Sequence, residues 1–321
     1  MISALLALSL AATAAAPSER HAYQPGFIER FELSMRADLR HGGPDAPLQS
    51  YDVSANLTLR VTGTRGGERT GTLSVDDFSV THSGVAPIAR APELPPGLLS
   101  VPVTVRRDGR IVAGEALLLV TDRRRGPWVA RVATDAQGLL PAPSGRGLRA
   151  SHVLGFESRS GRPILPPPAA APEDRALGAD QTTVPLLPLD GLALVPVPAK
   201  PWRVDATQHE RVGPIKLTST VTMQVERRTA LTVRLAAPAP SAVPAAPPVR
   251  LGRDGSIVPP RRELSAAGRR PGLSLSGELN ATFDGGRRTL SGLDATLERV
   301  ETLELSPPRH VRLAIRLRRQ R

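Results

Sequence analysis

Asp52-Val53-Ser54-Ala55-Asn56-Leu57-Thr58-Leu59-Arg60-Val61 sets a polar side chain before an apolar one at every second step. Successive side chains of a strand point to opposite faces, so this spacing predicts a strand with one wet face and one buried face. The pattern recurs on both sides. Phe27, Phe31, Leu33, Met35, Ala37 and Leu39 mark an earlier strand, and Val101, Val103 and Val105 a later one. Ile111 to Thr121 reads as its more buried partner. Leu217 to Val225 is rich in Thr and Val, and Leu231, Val233 and Leu235 alternate again. Near the end, Val311, Leu313, Ile315 and Leu317 alternate with Arg312, Ala314, Arg316 and Arg318. No comparable window has helical periodicity. The expected fold is all-β, with antiparallel sheets in a sandwich or a strongly curved open sheet, joined by Pro-rich linkers or loops.

Glycine supplies the punctuation. Gly66-Gly67, Asp108-Gly109, Asp254-Gly255 and Asp284-Gly285-Gly286 sit where antiparallel hairpins need positive φ. Asp108-Gly109 has good strands on both sides, whereas Asp254-Gly255 lies among prolines and reads equally as linker. Residues 158–181 and 238–272 are dense in proline, which fixes φ and lacks the ladder donor, so neither stretch holds a central strand. The expected organisation is a signal peptide at 1–14, an N-terminal β region at 15–157, and a linker at 158–181. A middle β region at 182–237, a second linker at 238–272 and a C-terminal β region at 273–321 follow, the last packed with the middle one. Gly66 to Ser74 and Gly285 to Ser291 echo one another, as two hairpin tips of common chemistry do.

Ile2 to Ala16 carry no charge, Leu5, Leu6, Leu8 and Leu10 form a short apolar run, and Ala12-Thr13-Ala14 offers an A-x-A cleavage site. That layout reads as a secretory leader, although no Lys or Arg follows Met1. Pro17 disfavours cleavage after Ala16, so the mature chain is expected to begin at Ala15, in the periplasm or outside the cell. No stretch is apolar enough to span a bilayer, since Val184 to Pro198 is interrupted by prolines and by Asp190. The chain has no cysteine, hence no disulfide framework and no thiolate chemistry. Its net charge is +12, carried almost wholly by arginine, because Lys200 and Lys216 are the only lysines. A basic surface attracts polyanions over roughly 8–10 Å. With 3% aromatic residues there are few stacking platforms for nucleic acid.

Chemistry is sparse. His21, His41, His82, His152, His209 and His310 are scattered, without a local ligand pair. Asp76-Asp77 is the one acidic pair with a Ca²⁺ reading, but strand neighbours point to opposite faces, so a solvated strand end is expected. Gly272-Leu273-Ser274-Leu275-Ser276-Gly277 lacks the spacing of a nucleophile elbow, and no phosphate-binding loop precedes either lysine. The chain reads as non-enzymatic and free of cofactor. Three features remain for binding. Arg312, Arg316 and Arg318, with Arg319 and Arg321 beyond them, form either a cationic ridge for anions or the charged edge of an outer strand. Arg123-Arg124-Arg125 reads as a solvated turn or an anion contact. Leu186, Leu187, Leu189, Leu192 and Leu194, running on to Trp202, either line an apolar groove or pack a core as an extended segment. Asn56-Leu57-Thr58 and Asn280-Ala281-Thr282 match the glycosylation sequon, but both fall within strands.

The leader, the alternating strands and Pro196-Val197-Pro198-Ala199-Lys200-Pro201-Trp202 together resemble uncharacterised secreted β-rich proteins of high-GC Gram-negative bacteria. In that type a Gly-Asp precedes the tryptophan, and here Trp202 follows the proline directly. The resemblance implies export and a β-rich fold, and brings no catalytic residue with it. Three functions are left, in this order. The first is a structural or interaction module of the cell envelope, binding a protein or an anionic polymer. The second is a periplasmic lipid or lipoprotein carrier with an apolar groove, meeting anionic lipid through its arginines. The third is a hydrolase built on His152 or His209 with an acid and a serine. A filled interior favours the first, an open apolar concavity the second.

Overall fold

The computed structural model describes residues 23–42, 45–121, 126–141, 148–157, 160, 162–164, 174–177, 181–197, 203–213, 215–225, 228–236, 250–251, 257–258, 272–284, 287–302 and 308–320. The leader, Arg123-Arg124-Arg125, Asp254-Gly255, Trp202, Arg321 and most of the two proline-rich stretches lie outside the described residues.

Among the described residues, twenty strands follow one another. They are β1 (Ile28–His41), β2 (Gln49–Arg65), β3 (Glu68–His82), β4 (Ala89–Ala91), β5 (Leu99–Val105), β6 (Ile111–Ala113) and β7 (Glu115–Thr121). Next come β8 (Trp128–Ala133), β9 (Leu148–Phe156), β10 (Pro163–Ile164), β11 (Asp174–Leu177) and β12 (Thr182–Pro185), then a short helix α1 (Leu189–Leu194). The chain continues through β13 (Thr207–Val212), β14 (Ile215–Val225), β15 (Arg228–Ala236), β16 (Arg250–Leu251) and β17 (Ile257–Val258). It returns through β18 (Gly272–Asp284), β19 (Thr289–Thr302) and β20 (Arg309–Arg319). The all-β expectation holds, as antiparallel sheets.

The main sheet has twelve strands in the order β13-β14-β15-β18-β19-β20-β1-β2-β3-β5-β6, with β4 also on β3. Strands from the N-terminal, middle and C-terminal regions therefore share one sheet. A second, six-stranded sheet runs β10-β9-β8-β7-β12, with β11 on β9. Two details differ from the sequence reading. Ile111 to Thr121 is not one strand: Gly114 separates β6, which pairs with β5, from β7, which enters the second sheet. β7 is buried on both faces, which explains its unbroken apolar run. Leu189–Leu194, expected as extended chain, is helical.

Alternation decides the faces of the main sheet. One register row reads Val233, Leu279, Ala295, Ile315, Met35, Val53 and Val80 across seven neighbouring strands, all buried. The row beside it reads Thr232, Asn280, Asp294, Arg316, Ser34, Ser54 and Ser79, on the solvent side. Bulges interrupt the ladder at Asn56/Leu57, Val61/Gly63, Val221/Met223 and Thr282/Phe283, and each adds local twist. Gly71 and Gly277 let neighbouring backbones close in: a Cβ on either would lie 2.1 Å from the carbonyl oxygen of Arg60 or Thr296. These devices curl the sheet, which stays open: its end strands β13 and β6 share no hydrogen-bonded ladder. Arg110, in the turn before β6, is paired with Glu210 of β13 at the opposite end of the strand order.

Both openings of the curl are covered. At one, the ring of Tyr23 is buried and its hydroxyl accepts the Leu290 N–H at 3.0 Å. Phe27 packs edge-on against that ring, with centroids 5.1 Å apart. At the other, the second sheet turns Leu117, Leu119, Val129 and Val184 into the shared core. Its far face builds a smaller core around Leu118, Val120, Trp128 and Val132. α1 lies on the concave face itself, where a Cβ on Gly191 would sit 3.1 Å from Leu293 Cδ2. The helix has no side-chain N-cap, so burial of its leucines rather than intrinsic propensity holds it.

Candidate functional site

The alternation that puts Leu293, Ala295 and Leu297 indoors also puts Arg299 and Glu301 of β19 indoors, two and four positions later. Arg309 of β20 shares this fate with Val311, Leu313 and Ile315, and stands opposite Glu301. α1 supplies Asp190. Four charged residues, two of each sign, are thus buried where the second sheet meets the main one.

Each is held by more than one partner. Arg299 Nε donates to Glu301 Oε1 at 2.6 Å, its Nη1 to Asp190 Oδ2 at 3.3 Å, and its Nη2 to the Pro141 carbonyl at 2.9 Å. Asp190 Oδ1 accepts the Leu140 N–H at 3.1 Å. Arg309 Nη2 donates to the Thr183 carbonyl and to Thr183 Oγ1, both at 3.0 Å. Thr183 belongs to β12, so this guanidinium ties the second sheet to the first. Burial pushes the Asp190 carboxyl above the usual carboxylate range, and Arg299 and the Leu140 N–H pull the other way. Burial also lowers Arg309 from the ordinary arginine value, with Glu301 opposing. His41, its β1 neighbour, is held below the usual imidazole value by partial burial and then by Arg309. A cavity of about 40 Å³ adjoins the cluster, walled by Arg299, Glu301, Arg309 and Asp190 and by apolar neighbours such as Met35 and Leu313.

The arginines singled out in the sequence are elsewhere. β20 is an interior strand, flanked by β19 and β1, so the outer-strand reading is corrected: no edge is there to be protected. The neighbouring strands also bring acids to the arginines. Arg316 and Arg318 both reach Asp294, at 3.4 and 2.5 Å. Arg319 pairs with Glu29 at 2.7 Å and Asp284 at 3.4 Å, and Arg312 stands in register between Glu298 and Asp38. The row is a mixed-charge surface and not a bare cationic ridge. Beside it, a depression of about 450 Å³ is floored by Ser34, Thr296 and Ala314 and rimmed by Arg36, Glu278 and Asp294. A separate, smaller one of about 270 Å³ is lined in part by Ser54 and Ser79.

The leucines of the apolar run are turned inward, and Leu187 and Leu189 border the small cavity beside the quartet. Leu186, Leu187, Leu189, Leu192 and Leu194 are all buried in the main core, and Trp202 lies outside the described residues. They turn inward because the curled sheet leaves a concavity that its own side chains do not fill. Asp76 and Asp77 do not point to opposite faces. The bulge opposite Asn56/Leu57 makes Asp76 the extra residue, so Asp77 accepts from Asn56 N and Nδ2 while Asp76 accepts from Thr58 Oγ1 on the same face. No cluster of metal-ligating side chains occurs among the described residues. His209 is exposed on β13, with Nδ1 3.2 Å from Thr218 Oγ1. The side chain of His152 is outside the described set.

Sequence reasoning missed the buried quartet. A signal was there: Asp190 is the only charge between Val184 and Pro198, and Arg299, Glu301 and Arg309 occupy positions in the apolar phase of their strands.

No protein-family model matches the chain, and no curated protein matches it. Among solved structures, it is similar to a crystal structure of an outer membrane channel from Pseudomonas putida F1, with 10% identity over 95% of this chain and 100% of that one, at a TM-score of 0.21. A likeness at that score carries no argument about fold or function.

Proposed function

We propose that this protein is a non-enzymatic, exported cell-envelope module that works through its outer surface, binding a protein partner with the polar face of the curled sheet. The observation that carries this reading is the filled interior. Among the described residues, α1 and its flanks lie against the concave face, and the cavity they border is about 40 Å³, an order of magnitude below the roughly 300–1,000 Å³ of small-molecule sites. A lipid carrier needs that concavity empty. The leader and the resemblance to secreted β-rich proteins support export.

Two further observations agree. The outward rows carry Arg, Asp, Glu, Ser and Thr, whereas a lipid-embedded barrel carries an outward apolar band. Arg316, Arg318 and Arg319 are each paired with an acid, which suits a protein surface of mixed charge better than a polyanion.

The test joins location and contact. Mass spectrometry of fractionated cells should find a chain beginning at Ala15 outside the cytoplasm. A photoreactive residue placed at Ser34 or Ser54 should give a discrete protein adduct in intact cells, while one at Ile164 on the second sheet should not. A leader-bearing cytosolic chain, or adducts from Ile164 alone, would overturn the proposal.

A further inference from the structure

We infer that the cavity beside the buried quartet is a permanent hydration site, in which ordered water joins Glu301 to Arg309 and completes the junction between the two sheets. Three observations converge on it. The first is unmet bonding capacity. Among the described residues, Glu301 Oε2 and Arg309 Nε have no hydrogen-bond partner, although both residues are under one-tenth exposed. Leaving such a group dry is unfavourable, and more so when it is charged. The second is distance. Arg309 Nη1 and Glu301 Oε2 are 3.8 Å apart, too far for a direct hydrogen bond and suited to a shared water at about 2.8 Å from each. The third is space. Both residues wall the 40 Å³ cavity, and a water needs about 10–15 Å³ of such volume, so about three fit.

Charge identifies the occupant. Asp190 and Glu301 offset Arg299 and Arg309, so a bound anion or cation would leave the buried site with a net charge. A neutral molecule with both donor and acceptor capacity meets a guanidinium N–H and a carboxylate oxygen together. Water is the one small enough. The Asp190–Arg299 bond and the Arg309–Thr183 bonds then form one wall-to-wall network from α1 through β19 and β20 to β12.

A high-resolution crystal structure of the intact mature chain, with one crystal soaked in bromide, tests the assignment. Water density within hydrogen-bonding distance of Glu301 Oε2 and Arg309 Nε, with no anomalous peak, is expected. An empty cavity or a bromide peak there would overturn it. Water deuteron relaxation dispersion gives a solution readout without any substitution: the wild-type signal should contain long-lived water. It should fall by the equivalent of about one or two molecules in a doubly substituted E301L/R309M chain that retains its β spectrum. An unchanged signal in that folded variant would refute the site, and if the variant does not fold, the wild-type crystal decides alone.

Discussion

Replacing Arg299 with methionine tests the account of the buried quartet most directly. The side chain is 3% exposed and serves two carboxylates and one carbonyl. Methionine fills much of the volume but donates nothing, so Asp190 and Glu301 keep only Arg309 as a cation, on the far side of Glu301. Breaking a buried pair by removing one partner costs about 3–5 kcal/mol. An independent bound agrees: an ordinary aspartate titrates near 3.9, so forcing one to hold a proton at pH 7 costs about 4 kcal/mol at 1.36 kcal/mol per unit. That bound sets the pH dependence. A carboxyl whose folded value is raised contributes stability that is complete below its unfolded value and is lost as pH rises through the folded one. The R299M loss should therefore shrink between pH 7 and pH 5, by at most about 2–3 kcal/mol because burial already raises Asp190 in the intact chain. Urea unfolding followed by circular dichroism, with an unchanged m-value, measures it. R234M is the control, because Arg234 and Glu278 are 74% and 46% exposed and such pairs contribute about 0–1 kcal/mol. An R299M loss under about 1 kcal/mol at pH 7, or one that does not change with pH, would refute the reasoning.

Tyr23→Phe should cost about 1–3 kcal/mol by stranding the Leu290 N–H, as read by thermal or urea unfolding. Burial pushes the Tyr23 hydroxyl up to about 12, against about 10 when unfolded. Its contribution should be complete below pH 10 and lost as pH rises through about 12; in a Y51F background Tyr23 is the sole tyrosine, so absorbance near 295 nm follows it alone. Leu192→Ala should lose about 2–5 kcal/mol, since the concave face cannot collapse onto the vacated space. Gly71→Ala should destabilise by about 1–3 kcal/mol, because its Cβ meets the Arg60 carbonyl oxygen at 2.1 Å, and a neutral result would show that the sheet tolerates a wider curl. Arg316→Ala, on the wet face, should change stability by less than about 1 kcal/mol.

Strands were legible because their signal is local. Asp52 to Val61 announces its two faces without reference to any other residue, and β2 buries Val53, Ala55, Leu57, Leu59 and Val61 as that spacing requires. The turn at Asp108-Gly109 was legible for the same reason, with Gly109 at φ +83° between β5 and β6. What depended on distant partners was not. Nothing near Arg312 to Arg318 says that β1 will pair beside it, and that pairing turned a presumed edge into the sheet's interior. α1 was hidden because proline-spaced leucines with a glycine carry no helical pattern; the concavity they fill, made by strands on either side of them in sequence, selects the helix. The quartet required knowing that a carboxylate in one segment would meet guanidiniums more than a hundred positions later.

The pairing of β20 with β1 has a consequence for how the chain is made. The middle of the main sheet joins Phe31 to Arg319, so local folding cannot complete it before Arg319 has left the ribosome. Contacts of such long sequence separation form slowly, because loop-closure entropy is spent before any pairing repays it. Until then β1 lacks one of its two neighbours. A chain wired in this way cannot seal the centre of its main sheet until residues 309–319 are free to pair, whatever its local hairpins have already done.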